Sequence, residues 1–315
     1  MQSASSATAL VIGTRGSPLA LAQAQETRAL IAAASGLDPA AIAIEIIRTS
    51  GDRIQDRPLL AAGGKGLFTK EIEEALIAGS IDLAVHSSKD VPTLLPQGLE
   101  LAAFLPREDV RDAFLSPVAR SLADLPRGAL LGTSSLRRRA MALRLRPDLV
   151  PVEFRGNVET RLRKLGDGIA HATLLALAGL NRLGLAAQAT SLLDLEDFLP
   201  AVGQGAVAIE ARIGDERLAP IMASINHAPT AIALHAERAF LATLDGSCRT
   251  PIGGLARMEG ESLDFRGMVL SPNGRRSEAV RIAGPAADAA AIGSAAAHEL
   301  LARGVADYMR DSCDA

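Results

Sequence analysis

The residue types that could carry chemistry are concentrated in a few short segments of this 315-residue chain. The segment AVHSSKDVP, Ala84 to Pro92, follows a buried-type strand and holds Ser87, Lys89 and Asp90. Ligands of open α/β sheets bind at the carboxyl ends of strands, so the segment is well placed for a site. The motif leaves two roles open for Asp90: a base or cation stabiliser, or the residue that organises the turn before the proline.

A second group of candidates is basic. The segments GTRGSP, GTSSLRRR and FRGNVETR place arginines and hydroxyls where a strand gives way to a helix. Free N–H groups at a helix start favour anions, and a guanidinium matches a carboxylate with two parallel donors. Residues 134–164 hold nine basic and three acidic side chains, which gives +6 locally in a chain of net charge −3. An anion site is predicted for the arginines at loop ends, which are Arg137, Arg138, Arg155 and Arg161. Solvated helix faces are predicted for Arg139, Arg144, Arg146 and Arg163.

Cys248 lies in LDGSCRTPIGG, between a Gly-Ser pair and Arg-Thr-Pro. The residues leave two interpretations: a small buried hydrophobe, or an accessible thiol that Arg249 makes more reactive. GGKGLF, with Lys65 and Phe68, resembles a phosphate cradle but lacks the full P-loop pattern, so it predicts a mobile loop at a helix start. The five histidines show no metal-binding spacing and each is interpreted as structural, so no metal site is predicted.

Composition excludes several function classes. Aromatic residues make up 3% of the chain, with no Trp, which argues against base-stacking platforms for nucleic acid. Two cysteines are too few for a disulfide framework. The start MQSASSATALVIG lacks the features of a signal peptide, and no apolar run would span a bilayer. A cytoplasmic protein without a membrane segment is therefore expected.

The elements that must position these residues alternate between short apolar strands and helices, which is typical of α/β domains. Ser17, Pro18 and Gly36 bracket a first helix as cap, first position and end. The strand-like AVAIEAR, Ala206 to Arg212, is predicted to return to the first sheet. Three domains follow: an α/β domain of residues 1–106 with 206–226, a second α/β domain of 107–205, and an α+β domain of 227–315.

Nine blocks, taken in order from residue 13 to 254, resemble the porphobilinogen deaminase (hydroxymethylbilane synthase) family. The blocks are GTRGSPLAL, GGKGLFTKEIE, DLAVHSSKDVP, REDVRDAF, GTSSLRRR, FRGNVETRLRKL, LALAGLNRLGL, PAVGQGAVAIE and DGSCRTPIGG. The resemblance implies two periplasmic-binding-protein-like α/β domains with an active-site cleft between them, and a smaller C-terminal α+β domain. It also implies a transferase that joins four porphobilinogen molecules head to tail, releases ammonia and yields hydroxymethylbilane for tetrapyrrole synthesis.

The resemblance further implies one dipyrromethane cofactor per chain, attached by a thioether to Cys248, and a catalytic role for Asp90. The other residues matched to cofactor binding are Lys89, Ser87, Thr133, Ser134, Ser135, Arg137, Arg138, Arg155, Gly156, Arg161 and Gln204. Those matched to substrate binding are Arg15, Ser17, Asp52, Lys65, Phe68 and Arg182. The chain departs from the family pattern in two places. It has Ala61 and Ala62 where many relatives have a lysine a few residues before GGKG, and Asn181 replaces a lysine that is common beside Arg182. A monomer is implied.

Two other function classes share parts of this pattern. A non-enzymatic anion receptor of the periplasmic kind would have the same two-lobed fold, but it predicts an export signal and no special thiol. A nucleic-acid-binding regulator would use the basic segment of residues 137–164, but it predicts a basic domain overall, which the net charge of −3 does not favour. We therefore expect porphobilinogen as the small-molecule partner and no nucleic acid.

Overall fold

The structure is a computed structural model that describes residues 9–53, 66–245 and 250–310. Thirteen strands lie in these ranges: β1 Leu10–Thr14, β2 Ile42–Ile46, β3 Leu83–Ser87, β4 Leu99–Phe104, β5 Asp112–Leu115, β6 Leu130–Gly132, β7 Val150–Val152, β8 Ala172–Ala176, β9 Ser191–Leu192, β10 Val207–Arg212, β11 Ile252–Glu259, β12 Ser262–Leu270 and β13 Ser277–Pro285.

Ten α-helices lie in the same ranges: α1 Pro18–Ser35, α2 Ser50–Arg53, α3 Lys70–Ile77, α4 Leu136–Leu145, α5 Val158–Gly166, α6 Leu177–Arg182, α7 Ala219–Ile225, α8 Ala228–Thr243, α9 Ala289–Ala302 and α10 Val305–Arg310. Among the helices of the described ranges, none has both the length and the apolar character that crossing a bilayer requires. The chain divides into two compact units, unit 1 of Met1–Arg107 with Ala206–Ala231, and unit 2 of Glu108–Gly205 with Ile232–Ala315.

Unit 1 is built on a five-stranded sheet in the order β2-β1-β3-β10-β4. Strands β1, β2 and β3 are parallel, whereas β10 runs antiparallel to both of its neighbours. The predicted return of AVAIEAR to the first sheet is thereby confirmed. Alternate residues of a strand point to opposite faces, and β3 divides accordingly: Leu83 and Val85 pack with α1 and α7, while Ala84 packs with α3.

Helix α1 begins and ends where the sequence predicts. The Ser17 hydroxyl accepts the Ala20 N–H at 3.3 Å, and Pro18 occupies the first helical position. Gly36 ends the helix at φ 71°, in the left-handed region that favours glycine. The capping residue is also what fixes the direction in which the chain leaves β1, because it follows that strand by only three residues.

Unit 2 contains two sheets. The first has the order β7-β6-β8-β5-β9, with β6 parallel to β7 and β8, and β5 antiparallel to β8 and β9. The second is the antiparallel meander β11-β12-β13, whose core is shared with α8 and α9. The turn of residues 271–276, predicted from SPNGRR, joins β12 to β13. These sheets confirm the predicted mixed α/β fold class.

Two predicted elements have different bounds. The run ATLLALAGL reads as one strand, but β8 ends at Ala176 and α6 begins at Leu177. A short buried apolar run has no periodicity that separates strand from helix. The helical pattern of LFTKEIEEALIAGS starts at Leu67, but the helix begins at Lys70, because Gly66, at φ 82°, starts a turn in which the Thr69 N–H donates to the Gly66 carbonyl.

Candidate functional site

One pocket of unit 1 gathers five of the residues predicted for the site. It lies where β1 and β3 end and α1 begins, and its predicted residues are Arg15, Ser17, Phe68, Ser87 and Asp90. Leu19, Ala20, Gln23, Thr69, Val85 and His86 complete the lining. Parallel strands β1 and β3 are neighbours in the sheet, so the residues that follow them meet at one edge. Segments about 70 residues apart in sequence are joined in this way.

Asp90 and Arg15 form the charged centre of this pocket. Arg15 Nη1 lies 3.8 Å from Asp90 Oδ2, an ion-pair distance that is too long for a hydrogen bond. The Arg15 guanidinium also lies over the Phe68 ring, 4.3 Å from its centroid, which is a cation–π contact. The two charged side chains keep 22% and 35% of their surface exposed. The carboxylate is therefore fixed near a cation and remains open to a ligand.

Hydroxyl and amide groups border the charged centre. The Ser87 hydroxyl donates to Gln23 Oε1 at 3.1 Å, while the Ser17 hydroxyl caps α1. Sequence reasoning missed Gln23, which is buried in the helix. The sequence could have indicated Gln23 by its spacing, which places it on the buried face of α1 with Ala20, Ala24 and Thr27. A glutamine on a buried face needs a polar partner.

Four other predicted residues lie elsewhere in the chain or outside the described residues. Lys89 is half-buried in the 3-10 turn Ser88–Asp90 that follows β3, and it is not among the residues lining the pocket. Asp52 belongs to the short helix α2. Lys65 and Cys248 lie outside the described residues, as do Ala61, Ala62 and the first part of the loop predicted to be mobile, up to Lys65.

In unit 2, Arg137 and Arg138 converge on one buried carboxylate. Arg137 Nη2 donates to Asp112 Oδ2 at 2.7 Å, and Arg138 donates to Asp112 Oδ1 through Nε and Nη2, at 3.1 and 2.7 Å. The three side chains are 0 to 6% exposed. Two guanidinium groups face a single carboxylate, so the cluster carries a net charge of +1.

The charges and hydrogen bonds of this cluster leave one buried N–H donor without an acceptor among the described residues. Burial by itself would raise the pKa of Asp112, but Arg137 and Arg138 outweigh it and hold that pKa well below its usual range. Arg137 Nη1 donates to the Leu199 carbonyl at 2.7 Å, yet its buried Nε has no hydrogen-bond partner among the described residues. A buried N–H without an acceptor is costly, and an anionic ligand would satisfy it.

Gln204 belongs to the same cluster. Its amide nitrogen donates to Asp112 Oδ1 at 3.0 Å and to the Val110 carbonyl at 2.8 Å. Sequence reasoning missed Asp112, which lies in the block REDVRDAF. Its only sequence signal is an acidic residue at the start of the otherwise apolar run DAFL, which forms β5.

Three successive hydroxyls lie beside this cluster, at the start of α4. Each one accepts a backbone N–H: Thr133 from Ser135, Ser134 from Phe154 and Ser135 from Arg138, at 3.2, 3.1 and 3.4 Å. A hydroxyl that accepts a bond can still donate its own proton. These hydroxyls and the free N–H groups at the start of α4 are of the kind that favours an anion such as a carboxylate.

The remaining predicted arginines of unit 2 contact nearby groups. Arg155 Nε lies 2.5 Å from Glu153 Oε1, and Arg161 Nε donates to the Gly156 carbonyl at 2.9 Å. Gly156 has φ 116°, and a Cβ there would lie 2.5 Å from Thr160 Cγ2, so this position requires glycine. Arg182 Nη1 donates to the Gly205 carbonyl at 3.1 Å.

Arg146 is not on a solvated helix face, and that prediction is wrong. It follows α4, and its guanidinium donates to the carbonyls of Leu122, Ala123 and Leu125 at 2.7 to 3.0 Å as well as to Asp148. Its side chain is 18% exposed. Because the chain turns at the end of the helix, the side chain reaches back to a loop that periodicity alone does not place near it.

The histidines of the described ranges have different surroundings. His86 is buried against Glu210, His171 Nδ1 accepts the Leu130 N–H, and His227 bonds Thr230. Within the described part of the chain, no three His, Cys, Asp or Glu side chains come together as metal ligands would.

Comparisons with known proteins agree with one another on the family. The family model described as "Porphobilinogen deaminase, dipyromethane cofactor binding domain" matches residues 10–220, and the one described as "Porphobilinogen deaminase, C-terminal domain" matches residues 231–302. A porphobilinogen deaminase of Nitrobacter winogradskyi is 64% identical over 292 residues, which is 93% of this chain and 92% of the relative. The same identity and coverage hold for a porphobilinogen deaminase of Nitrobacter hamburgensis.

Among solved structures, a nutrient-binding protein from Burkholderia cenocepacia bound to methionine shares 16% identity, with a TM-score of 0.43. That match covers 69% of this chain and 91% of the other. The family models and the two Nitrobacter relatives, which span nearly the whole chain, lead to one conclusion: the chain belongs to the porphobilinogen deaminase family.

Proposed function

We propose that Asp90 is the catalytic group of this chain and that the unit 1 pocket around it is where pyrrole units react. As a member of its family, the chain is a transferase that joins four porphobilinogen molecules head to tail, releases ammonia from each, and yields hydroxymethylbilane. The observation that carries the assignment is the Asp90 carboxylate, which lies 3.8 Å from Arg15 and is open to a ligand.

Each condensation requires a protein group that stabilises positive charge on a pyrrole. The C–N bond of an aminomethyl group breaks and ammonia leaves, which puts positive charge on that pyrrole. A C–C bond then forms to the free α-carbon of a second pyrrole, whose displaced proton must be taken up. A carboxylate can accept a pyrrole N–H, stabilise the charge as it develops, and receive the proton before passing it to water or ammonia. Asp90 supplies this carboxylate.

Arg15 has a complementary task. Porphobilinogen bears acetate and propionate groups, and a guanidinium binds such groups with parallel donors. The contact with Phe68 holds the guanidinium against the pocket wall while 22% of the side chain stays exposed. We propose that Arg15 binds a substrate carboxylate. The further substrate contacts proposed are Ser17, Phe68, Asp52, Lys65 and Arg182.

The family's dipyrromethane cofactor, one per chain, is attached through a thioether to Cys248. When bound, it supplies the pyrrole on which the first condensation is primed. The residues of unit 2 fit a group rich in carboxylates, because the Asp112 cluster has an excess positive charge and Arg137 Nε lacks a partner among the described residues. The residues proposed to hold its carboxylates are Thr133, Ser134, Ser135, Arg137, Arg138, Arg155, Gly156, Arg161 and Gln204, with Ser87 and Lys89 as contacts from unit 1.

Replacement of Asp90 tests the assignment. We expect Asp90→Ala to lower kcat by about 10²- to 10⁴-fold, the usual contribution of a group that transfers protons, without a change in thermal midpoint. Asp90→Glu keeps the carboxylate and should retain more activity. Asp38→Ala removes an exposed aspartate of the same unit and serves as the control. A folded, cofactor-loaded Asp90→Ala enzyme with wild-type kcat would disprove the role.

Organisation, partners and location are proposed alongside this function. The three-domain division into 1–106 with 206–226, 107–205 and 227–315 is supported by the three sheets, since the strands of each sheet fall within one range. We propose a cytoplasmic monomer that binds no nucleic acid. Sedimentation of the purified chain, and a DNA titration at several salt concentrations, would test the oligomeric state and the absence of nucleic-acid binding.

A further inference from the structure

A buried histidine–glutamate pair lies directly behind the proposed catalytic segment. His86 Nε2 and Glu210 Oε2 are 3.0 Å apart, and their side chains are 3% and 0% exposed. The two residues come from adjacent strands, β3 and β10, in which His86 is opposite Ala208 and Glu210 is opposite Ala84. They therefore share the sheet face on which α3 packs, and their side chains link the two strands in addition to the backbone ladder.

A second carboxylate approaches this pair from α3. Burial is the main cause that raises the pKa of Glu73; Thr69 opposes it, the Glu210 carboxylate raises the pKa further, and His86 lowers it. Glu73 Oε1 and Glu210 Oε1 have no hydrogen-bond partner among the described residues. The Glu73 carboxyl therefore interacts electrostatically with both members of the pair, and its raised pKa favours a proton on Glu73.

Stability alone does not account for such a cluster. A buried ion pair commonly contributes no more to stability than well-packed apolar residues of the same volume, because both charges lose their hydration. Buried carboxyl oxygens without a partner add a further cost. A buried polar group next to a reactive pocket is often retained for what it does to that pocket.

The covalent path from the pair to Asp90 is short. His86 itself lines the pocket that contains Asp90. The strand continues into Ser87, which is opposite Val207 on β10, and then the Ser88 N–H donates to the Ala206 carbonyl at 3.0 Å. The 3-10 turn that carries Asp90 starts at that point. Any shift between β3 and β10 would therefore move the Asp90 carboxylate.

We propose that His86 and Glu210 act as a charged positioning pair for Asp90, an inference that rests on the proposed role of Asp90. The imidazolium of His86 favours the ionised carboxylate at the pocket, and Glu210 holds the imidazolium in place. The charged or titratable groups around His86 are Glu73 on α3, Glu210 on β10, Arg15 after β1, and Lys89 and Asp90 in the turn; α1 contributes the uncharged Gln23.

Single and double amide variants test the pair. His86→Gln removes a positive charge, so the acid limb of the kcat/KM pH profile should move to higher pH. Glu210→Gln leaves the buried imidazolium without its counter-ion, so the ring should lose its proton and the same limb should again move to higher pH. We expect kcat to fall about tenfold in each, with KM within about twofold. A purely structural role would lower the thermal midpoint without moving the limb.

The double variant His86→Gln, Glu210→Gln keeps the experiment decisive if a single variant does not fold. Two amides can still bond across the strands without an unpaired charge. We expect this protein to be folded, and to carry the cofactor by intact mass. Its kcat should equal that of the single variants, because two residues that act together have non-additive effects when both are replaced. His227→Gln, a bonded histidine of unit 1 outside the pocket, should behave as wild type.

Three outcomes are distinguishable. If Asp90→Ala is inactive while the folded double variant has wild-type kcat and pH profile, the positioning role is wrong and the role of Asp90 stands. If Asp90→Ala is active, the proposed catalytic role fails first. Nitrogen chemical shifts of the His86 ring give a readout apart from activity: two protonated ring nitrogens at neutral pH in the holoenzyme support the pair, and a neutral ring overturns it.

Discussion

At the scale of single residues, a functional arginine is defined by its acidic partners as much as by its position. Arg137 and Arg138 share Asp112 and so keep an excess of positive charge and of donors. Arg155 contacts the 55% exposed Glu153, which solvent can readily replace. Arg146 is committed to three loop carbonyls and to Asp148. The same side chain therefore keeps spare donors in one setting and holds a loop in another.

Asp112→Asn should destabilise the protein at neutral pH by about 3–5 kcal/mol, because it leaves two buried guanidinium groups without their carboxylate. Since Arg137 and Arg138 depress the pKa of Asp112 in the folded state, its stabilisation is present above the unfolded pKa of about 4 and is lost as the pH falls below it.

Urea unfolding at pH 7, 5, 4 and 3 measures this effect. Wild type should lose free energy of unfolding between pH 4 and pH 3 more steeply than Asp112→Asn does. The exposed Asp167→Asn serves as the control, with a change near zero. Equal stability of wild type and Asp112→Asn at pH 7 would contradict the buried charge cluster.

Glu73→Gln should have the opposite dependence on pH. The pKa of Glu73 is raised by burial, so the folded state resists its ionisation, and wild type loses stability as the pH rises from about 4.3 through the folded pKa. The variant lacks this penalty, and its thermal midpoint relative to wild type should increase over that range. A difference that is constant from pH 4 to pH 8 would show that Glu73 does not titrate in this way.

At the scale of elements, helices α8 and α9 approach each other closely at one glycine. A Cβ on Gly293 would lie 2.0 Å from the Ala236 carbonyl oxygen, which is backbone and has no rotamer by which to move aside. The separation of α8 from α9 thus depends on this position.

Gly293→Ala should therefore destabilise the protein by about 1–3 kcal/mol, the usual cost of overpacking, although alanine is the better helix former. Gly166→Ala is the matched control, since Gly166 is also helical and a Cβ there meets nothing within 4 Å. Chemical denaturation of both variants gives the comparison. Equal or greater stability of Gly293→Ala would contradict the close approach of the two helices.

At the scale of the whole molecule, a chain of net charge −3 holds its positive charge in local groups. The +6 segment of residues 134–164 contributes Arg137 and Arg138 to the Asp112 cluster in unit 2, and Arg15 supplies a cation in unit 1. Because the field is local, carboxylate binding does not require a basic protein.

Intact-mass spectrometry tests the covalent link that the function needs. Protein made where porphobilinogen is available should exceed the mass of the polypeptide by that of the dipyrromethane group and should react with Ehrlich's reagent. Cys248→Ser should show the polypeptide mass and no turnover, whereas Cys313→Ser should remain loaded and active. A loaded Cys248→Ser protein would place the thioether elsewhere.

Local patterns determined much of this protein in advance. The cap, first residue and end of α1 and the alternation of strands and helices were predictable, because each depends on a few neighbouring residues. The strand-like pattern of residues 206–212 was predictable on the same ground, and its expected return to the first sheet is confirmed. The family was predictable too, from nine ordered blocks. Where apolar runs were short, as at Leu177, periodicity could not separate strand from helix, and the bounds moved.

Tertiary structure alone decided which side chains face each other. Asp112 meets Arg137 and Arg138, Gln23 meets Ser87, and Glu210 meets His86 across 25 to 124 residues of sequence. No local pattern encodes such distances, since strand order and register place these side chains together. The sequence by itself therefore determined the residue types available for chemistry. The packed sheets decided which charges are paired, which N–H donors lack an acceptor, and that His86 and Glu210 pair next to the segment of Asp90.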